Sequence, residues 1–151
     1  MTARIKNPAQ LLPEIKDALV ALGTKINADG VIPEPTMELL HLRVSQLNGC
    51  AWCLNMGLSN ARKVGISDEQ LIVLAGWPES PEFSDAEKVA LDLAEHITRL
   101  ADRTDPVPDA VWDAAAQHYD EKQLAVLVTW VGVTNLYNRV NVSTRQVPGT
   151  W

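Results

Sequence analysis

The sequence predicts an all-α protein, a single-domain bundle of about six to seven helices covering residues 1–151. Apolar residues recur at three- and four-residue steps along most of the chain, which is the helical period. Proline, glycine and capping-box patterns separate these segments, and the alternation typical of strands hardly occurs. A chain of 151 residues is long enough to bury one shared core without disulfides or a structural metal.

Two helices are predicted in the N-terminal third of the chain. Asn7 and Pro8 open the first helix, and Gly23 ends it. A hinge at Pro33 to Pro35 follows. The second helix starts at Pro35 and ends at Asn48-Gly49, and its apolar or semi-polar face consists of Met37, Leu40, His41, Val44 and Leu47.

Later helices are predicted from capping boxes, in which a Ser or Asp precedes a Glu or Gln by three residues. The three boxes are Ser67 with Gln70, Ser84 with Glu87, and Asp120 with Gln123. The second box opens a long amphipathic helix over 85–102, and a short helix over 109–118 follows. The third box opens an apolar helix from Glu121 to about Val140. Its valines alternate in part, as in a buried strand, but its length and its cap favour a helix.

Composition excludes several classes of protein. Lys+Arg number 13 against Asp+Glu 19, a formal net charge of -6, which argues against a nucleic-acid partner. The N-terminus shows no secretory signal, and the apolar segment 124–136 is too short to span a bilayer. We therefore expect a cytoplasmic protein without a membrane partner. In that compartment two cysteines are not expected to form a permanent disulfide, and they are too few for a zinc site alone, which leaves a redox pair.

The two cysteines are expected at the first turn of a helix. The segment Cys50-Ala51-Trp52-Cys53 follows Asn48-Gly49 directly and precedes residues with helical spacing. Unpaired backbone N–H groups and the helix dipole favour a thiolate at such a position. The three-residue separation also brings the two sulfurs within bridging range. Two buried small hydrophobic residues, or half of a metal site, remain alternative interpretations.

The run from Glu38 to Cys53 resembles the alkylhydroperoxidase D and carboxymuconolactone decarboxylase superfamily. The signature of that superfamily is a glutamate, a helix ending in Ser-Gln-x-Asn-Gly-Cys-x-x-Cys, and a histidine four residues beyond the second cysteine. The resemblance is strongest over 38–65 and extends more weakly to 83–87 and to Asn138-Arg139. It implies an alkylhydroperoxidase D-like helical domain, with a redox core at about 35–102, that assembles as a homo-oligomer, a trimer or a hexamer.

The resemblance also implies a role for each residue of the motif. Cys53 would be the thiolate that attacks a hydroperoxide, and Cys50 would resolve the sulfenic acid as a disulfide. Glu38 would head the proton relay. A dithiol or thioredoxin-like reductant would then restore the thiols, and no metal or organic cofactor is implied. Members that decarboxylate a lactone generally lack the cysteine pair, so its presence favours a peroxidase.

One position departs from the signature, because Gly57 stands where the family has its relay histidine. Glu38 can act through water alone, His41 can substitute from one helical turn away, or peroxidase activity can be lost. Glu38 as a solvated surface carboxylate and His41 as a satisfied, partly buried histidine are the structural alternatives. If the histidine is simply missing, the substitution Gly57→His is expected to raise the peroxidase rate.

The leading hypothesis is therefore a thiol-dependent peroxidase or disulfide oxidoreductase. A non-peroxidatic helical oligomer, acting as a redox sensor or as a scaffold, is the alternative that Gly57 favours. A lyase acting on a lactone is a third hypothesis, and it requires a cation such as Arg43 to face the substrate.

Overall fold

The computed structural model describes residues 2–150, apart from the side chain of Asp102. Within that range the chain forms eight α-helices and no β-strand, which confirms the all-α fold class. The helices are α1 (Pro8–Leu11), α2 (Pro13–Ile26), α3 (Glu34–Leu47), α4 (Ala51–Lys63), α5 (Asp68–Val73), α6 (Asp85–Thr98), α7 (Asp109–Ala116) and α8 (Glu121–Thr144). Two short 3-10 helices, Leu74–Glu79 and Leu100–Asp102, follow α5 and α6.

The first predicted helix is in fact two helices, α1 and α2. They are separated at Leu12 because Pro13 fixes its own φ and has no N–H group, so it starts a new helix. The prediction that Gly23 ends the helix is wrong, since α2 continues through Gly23. Asn27 ends α2, and its side chain bonds both the carbonyl and the N–H of Ile32, at 2.7 and 3.1 Å.

All three predicted capping boxes are present at the starts of α5, α6 and α8. The predicted C-terminal ends are less accurate. Helix α6 ends at Thr98, four residues before its predicted end, and α7 ends at Ala116, two residues before its predicted end. Helix α8 runs past Val140 to Thr144, where Arg145 takes the left-handed conformation with φ 53°. This helix is longer than its apolar pattern because its last turns carry buried asparagines, including Asn141, that belong to its packed face.

Helix α3 lies at the centre of the bundle and packs against α4, α6 and α8. Nine of its fourteen residues are buried, including Leu39 and Leu42, which lie outside the single predicted face. A helix buried around most of its circumference is a core helix. Two of its ionisable residues, Glu38 and His41, are therefore held inside the bundle.

Helix α2 is peripheral and contacts α8, and none of its residues is buried. Apolar side chains are exposed along α1, α2 and the link between them: Leu11, Leu12, Ile15, Val20 and Leu22. On α8, Leu136, Val140 and Val142 are also exposed. An apolar surface of this extent on a helix pair is typical of an interaction surface. No helix within residues 2–150 is both long and apolar enough to cross a membrane.

Candidate redox site

A tight turn between α3 and α4 presents the two cysteines. Gly49 has φ 65°, a left-handed conformation that glycine adopts without steric cost. The N–H of Gly49 bonds the Gln46 carbonyl at 3.2 Å, and the N–H of Cys50 bonds the Ser45 carbonyl at 3.0 Å. These bonds satisfy the last carbonyls of α3 and allow α4 to start at once.

The two cysteines occupy different positions at the start of α4. Cys50 is the N-cap residue, and its sulfur accepts the backbone N–H of Cys53 at 3.3 Å. Cys53 lies within the first turn, and the two sulfurs form a disulfide. Both residues are 1% exposed. The helix terminus therefore stabilises negative charge on Cys50 directly, through this N–H group and the helix dipole.

Cys53 lines a cavity of about 340 Å³, and Cys50 is not among its lining residues. Its walls come mainly from apolar side chains of α2, α4 and α8, among them Ile15, Leu19, Met56, Leu136 and Val140. Polar residues also line it, namely Asn7, Lys16, His41, Tyr137 and Asn141. We refer to this space as the apolar cavity. Of the two sulfurs, that of Cys53 is the one beside space that a small apolar molecule can occupy.

Glu38 and His41 form a buried pair on α3. The Nδ1 atom of His41 lies 2.6 Å from Oε1 of Glu38, and the residues are 6% and 9% exposed. The carboxylate of Glu38 is thus not a solvated surface group. The ring of Trp130 meets the imidazole edge to face, at a centroid distance of 6.5 Å. An ionised Glu38 can only accept, so His41 donates from Nδ1 and Nε2 becomes the nitrogen able to accept a proton.

The space beside Gly57 is filled by this pair. A Cβ atom at position 57 would lie 2.6 Å from Cδ2 of Leu42, 3.0 Å from Oε1 of Glu38 and 3.2 Å from Cε1 of His41. Gly57 is one helical turn beyond Cys53 on α4. The imidazole of His41 therefore reaches the neighbourhood in which the family's histidine would begin, and a Cβ at position 57 would crowd it.

Sequence reasoning missed Asn141, which lies 88 positions from Cys53 along the chain. Its Nδ2 atom is 3.5 Å from the Cys53 sulfur, and the residue is buried. The available signal was a run of asparagines at three-residue steps, 135, 138 and 141, in an otherwise apolar helix. Asn138 entered the sequence interpretation only through the weaker resemblance near the end of the chain.

Arg43 is held inside the bundle by Glu95. Its Nε atom donates to Oε1 of Glu95 at 2.7 Å, and Nε1 of Trp77 donates to the same oxygen at 2.8 Å. Burial acts to raise the pKa of Glu95, but these hydrogen bonds and the charges of Arg43 and Arg99 outweigh it, so the pKa lies below its ordinary value. Arg43 is not among the residues that line the apolar cavity.

These features define a class of protein: an all-helical bundle that carries a Cys-x-x-Cys disulfide at the start of a helix, with a buried Glu–His pair beside it. The chain belongs to the carboxymuconolactone decarboxylase family, whose model matches residues 13–96. This match, together with the structural comparison below, confirms the resemblance to the alkylhydroperoxidase D and carboxymuconolactone decarboxylase superfamily.

Three relatives illustrate the likeness. The uncharacterised protein YdfG of Bacillus subtilis is 39% identical over 119 residues, covering 79% of this chain and 80% of YdfG. A crystal structure from Agrobacterium tumefaciens, of unknown function and described as a candidate antioxidant defence protein AhpD, has a TM-score of 0.90. It is 27% identical, with 99% of this chain and 100% of that chain covered. An uncharacterised peroxidase-related protein from Silicibacter sp. shares the fold, with a TM-score of 0.73, 20% identity and coverages of 89% and 70%.

Proposed function

We propose that this protein is a thiol-dependent peroxidase that reduces organic hydroperoxides through Cys53 and Cys50. The observation that carries the proposal is the placement of Cys53: it lines the apolar cavity, is bonded to Cys50 and shares the cavity wall with His41. The descriptions of the Agrobacterium and Silicibacter proteins, as a candidate antioxidant defence protein and as peroxidase-related, support the same reaction class. Mainly apolar walls favour an organic hydroperoxide over hydrogen peroxide.

The first step is attack by the Cys53 thiolate on the terminal oxygen of the hydroperoxide. The O–O bond breaks, the sulfur is oxidised to sulfenic acid, and the alkoxide leaves as the alcohol after taking a proton. Glu38 orients His41 through the 2.6 Å contact, and Nε2 of His41 takes the proton of the Cys53 thiol before the attack and then delivers it to the departing alkoxide. Proton transfer at this step prevents a poor leaving group from departing as a free alkoxide.

Cys50 then resolves the sulfenic acid, and a reductant restores the two thiols. Its thiolate attacks the Cys53 sulfur, the disulfide forms, and the hydroxyl group departs as water after protonation. A dithiol or thioredoxin-like reductant attacks Cys53, the sulfur beside the cavity, and expels Cys50 as the thiolate. A second thiolate of the reductant attacks the mixed disulfide, so that the reductant is oxidised and both cysteines are reduced.

Turnover of cumene hydroperoxide with a dithiol reductant tests the proposal. The variant Cys53→Ser is expected to lose activity, whereas Cys50→Ser is expected to consume about one equivalent of peroxide and then stop, because its sulfenic acid is not resolved. Activity that persists unchanged in Cys53→Ser would exclude Cys53 as the nucleophile. Equal rates with hydrogen peroxide and the organic peroxide would exclude the selectivity assigned to the apolar cavity.

A non-peroxidatic redox sensor or scaffold is the second candidate, and Gly57 is the observation that favours it. In that case mild peroxide treatment of the reduced protein would leave both thiols intact, or would form the disulfide without sustained turnover. The lyase hypothesis has less support, because the cation suggested for it, Arg43, is bound to Glu95 and is not among the residues that line the apolar cavity.

We also propose that the protein is a homo-oligomer, a trimer or a hexamer. The exposed apolar side chains of α2 and α8 support this, because a second copy would remove them from water. Leu136 and Val140 also line the apolar cavity, so an interface there would lie close to the redox site.

A further inference from the structure

Helix α8 carries a line of three buried asparagines, Asn135, Asn138 and Asn141. Their three-residue spacing places them along one side of the helix, which faces α3 and α4. A buried amide destabilises the fold unless it is hydrogen-bonded, and each of the three makes a hydrogen bond to another helix. The line runs towards the cysteines.

The first two asparagines hold the turn that presents the cysteines. Nδ2 of Asn48 donates to Oδ1 of Asn135 at 3.0 Å and to Oδ1 of Asn138 at 2.9 Å. Nδ2 of Asn138 donates to Oγ of Ser45 at 3.1 Å. Ser45 in turn accepts the N–H of Cys50 through its carbonyl. Helix α8 is thereby fixed against the end of α3, which sets the position of Asn141.

The third asparagine reaches the sulfur itself. Nδ2 of Asn141 lies 3.5 Å from Sγ of Cys53, and Asn141 also lines the apolar cavity. A disulfide sulfur is a weak acceptor, whereas a thiolate is a full negative charge and accepts the same N–H more strongly. The contact is therefore expected to strengthen when the pair is reduced.

Cys53 needs such a donor more than Cys50 does. The N-cap sulfur, that of Cys50, receives the backbone N–H at the helix start. The sulfur of Cys53 is buried beside mainly apolar walls, which disfavours its charged form. The titratable residues that line the same cavity are Lys16, His41 and Tyr137. A helix start alone thus stabilises the resolving thiolate rather than the attacking one.

We propose that Asn141 is a catalytic residue that stabilises the Cys53 thiolate by donating its side-chain N–H to the sulfur. The proposal rests on the peroxidase function proposed above for the role of that thiolate. Asn135 and Asn138 are positioning residues, because they act on Asn141 and on the cysteine turn rather than on the sulfur.

Two nearly isosteric substitutions test the hydrogen bond. Asn141→Leu removes the donor, and Asn141→Asp replaces it with an acceptor that carries negative charge. Each is combined with Cys50→Ser so that Cys53 alone titrates, and thiolate is followed by its ultraviolet absorbance as a function of pH. We expect the thiolate fraction at neutral pH to fall roughly tenfold or more in the Leu variant, and further in the Asp variant.

The order of the two variants separates electrostatics from packing. A purely structural role would perturb Leu and Asp similarly, so equal titration curves, or curves unchanged from the Cys50→Ser parent, would overturn the proposal. If Asn141→Leu folds poorly, Asn141→Ser replaces it. The serine hydroxyl does not reach as far as the amide, so this variant is expected to show the same loss of thiolate. Ser143→Ala, an exposed position on the same helix, is the control and should titrate like the parent.

The same proteins distinguish the failure of this inference from failure of the peroxidase function. The titration uses no peroxide, so a shifted curve establishes the role of Asn141 on the thiol whatever the reaction is. The rate of Cys53 oxidation by cumene hydroperoxide should then fall in the same order. A shifted curve without any oxidation in the Cys50→Ser parent would reject the peroxidase and retain the hydrogen bond.

Discussion

Adding the family's histidine by Gly57→His is expected to damage this protein rather than improve it. The new Cβ would meet Cδ2 of Leu42 at 2.6 Å, too close for any real contact, and Oε1 of Glu38 at 3.0 Å. Leu42 can rotate, but the Cβ also crowds Glu38 and His41, and the rest of the imidazole needs further room beside this pair. Overpacking of this kind typically lowers the free energy of unfolding by about 1–3 kcal/mol. We therefore predict a less stable protein with no gain in peroxidase rate, contrary to the expectation from sequence.

The reciprocal change should behave differently. Removing the imidazole by His41→Ala should slow turnover by about 10²–10⁴-fold, the usual contribution of a general acid or base. In the double variant His41→Ala with Gly57→His, the vacated space beside Glu38 can receive the new ring. We predict that the double variant recovers part of the rate lost in His41→Ala and is more stable than Gly57→His alone. The two substitutions are thus strongly non-additive.

The assay combines initial rates of cumene hydroperoxide reduction with urea unfolding for all four proteins of the cycle. Gly132→His is the matched control, because Gly132 also lies within a helix but has no atom near its missing Cβ. It should leave the rate unchanged and the stability unchanged or slightly increased. Two outcomes would refute the reasoning: a faster, fully stable Gly57→His, or a double variant no more active than His41→Ala.

Three further predictions concern stability and assembly. Because the pKa of Glu95 is lowered in the folded protein, its carboxylate contributes stability at pH values above the ordinary glutamate pKa. This contribution is lost as pH falls through the pKa of Glu95 in the folded protein. Glu95→Gln should therefore flatten the acid side of the stability–pH curve measured by urea unfolding. Burial raises the pKa of Tyr119 to about 12 from 10.0. The contribution of its neutral phenol to the free energy of unfolding is therefore complete below pH 10.0 and is lost as pH rises towards 12. Tyr119→Phe should remove that alkaline loss and cost about 1 kcal/mol at neutral pH, because the Ala86 carbonyl loses its donor. Sedimentation analysis should give a trimer or a hexamer, and a monomer at micromolar concentration would contradict the proposed interface.

The parts of the fold that are encoded locally could be predicted from sequence. Each capping box is complete within four residues, so the starts of α5, α6 and α8 were readable without tertiary information. Helix ends were less accurate, because they depend on partners elsewhere. The break at Pro13 is also a local signal, but the apolar period continues across it and by itself predicts one helix.

In the candidate site, too, the local features could be predicted from sequence, whereas the features that depend on contacts between helices could not. Glu38 and His41 are three residues apart on one helix, so the spacing alone indicates that they can meet. The consequence for Gly57 was not readable, because it depends on how closely α3 and α4 approach. For Asn141 the contact joins residues 88 positions apart, and no local pattern indicates which of the asparagines on α8 reaches the sulfur.

The placement of the two sulfurs also explains how one short motif can serve opposite steps of a cycle. In the proposed cycle, the N–H of Cys53 stabilises Cys50 as a thiolate both when Cys50 resolves the sulfenic acid and when a reductant expels it. That N–H is directed at Cys50 and therefore does little for the attacking thiolate of Cys53. On the proposed function, the helix start makes Cys50 an efficient resolving and leaving group, and the reactivity of Cys53 has to come from helices α3 and α8. Substitutions in those helices should alter the rate of peroxide attack without altering the rate of disulfide reduction to the same degree.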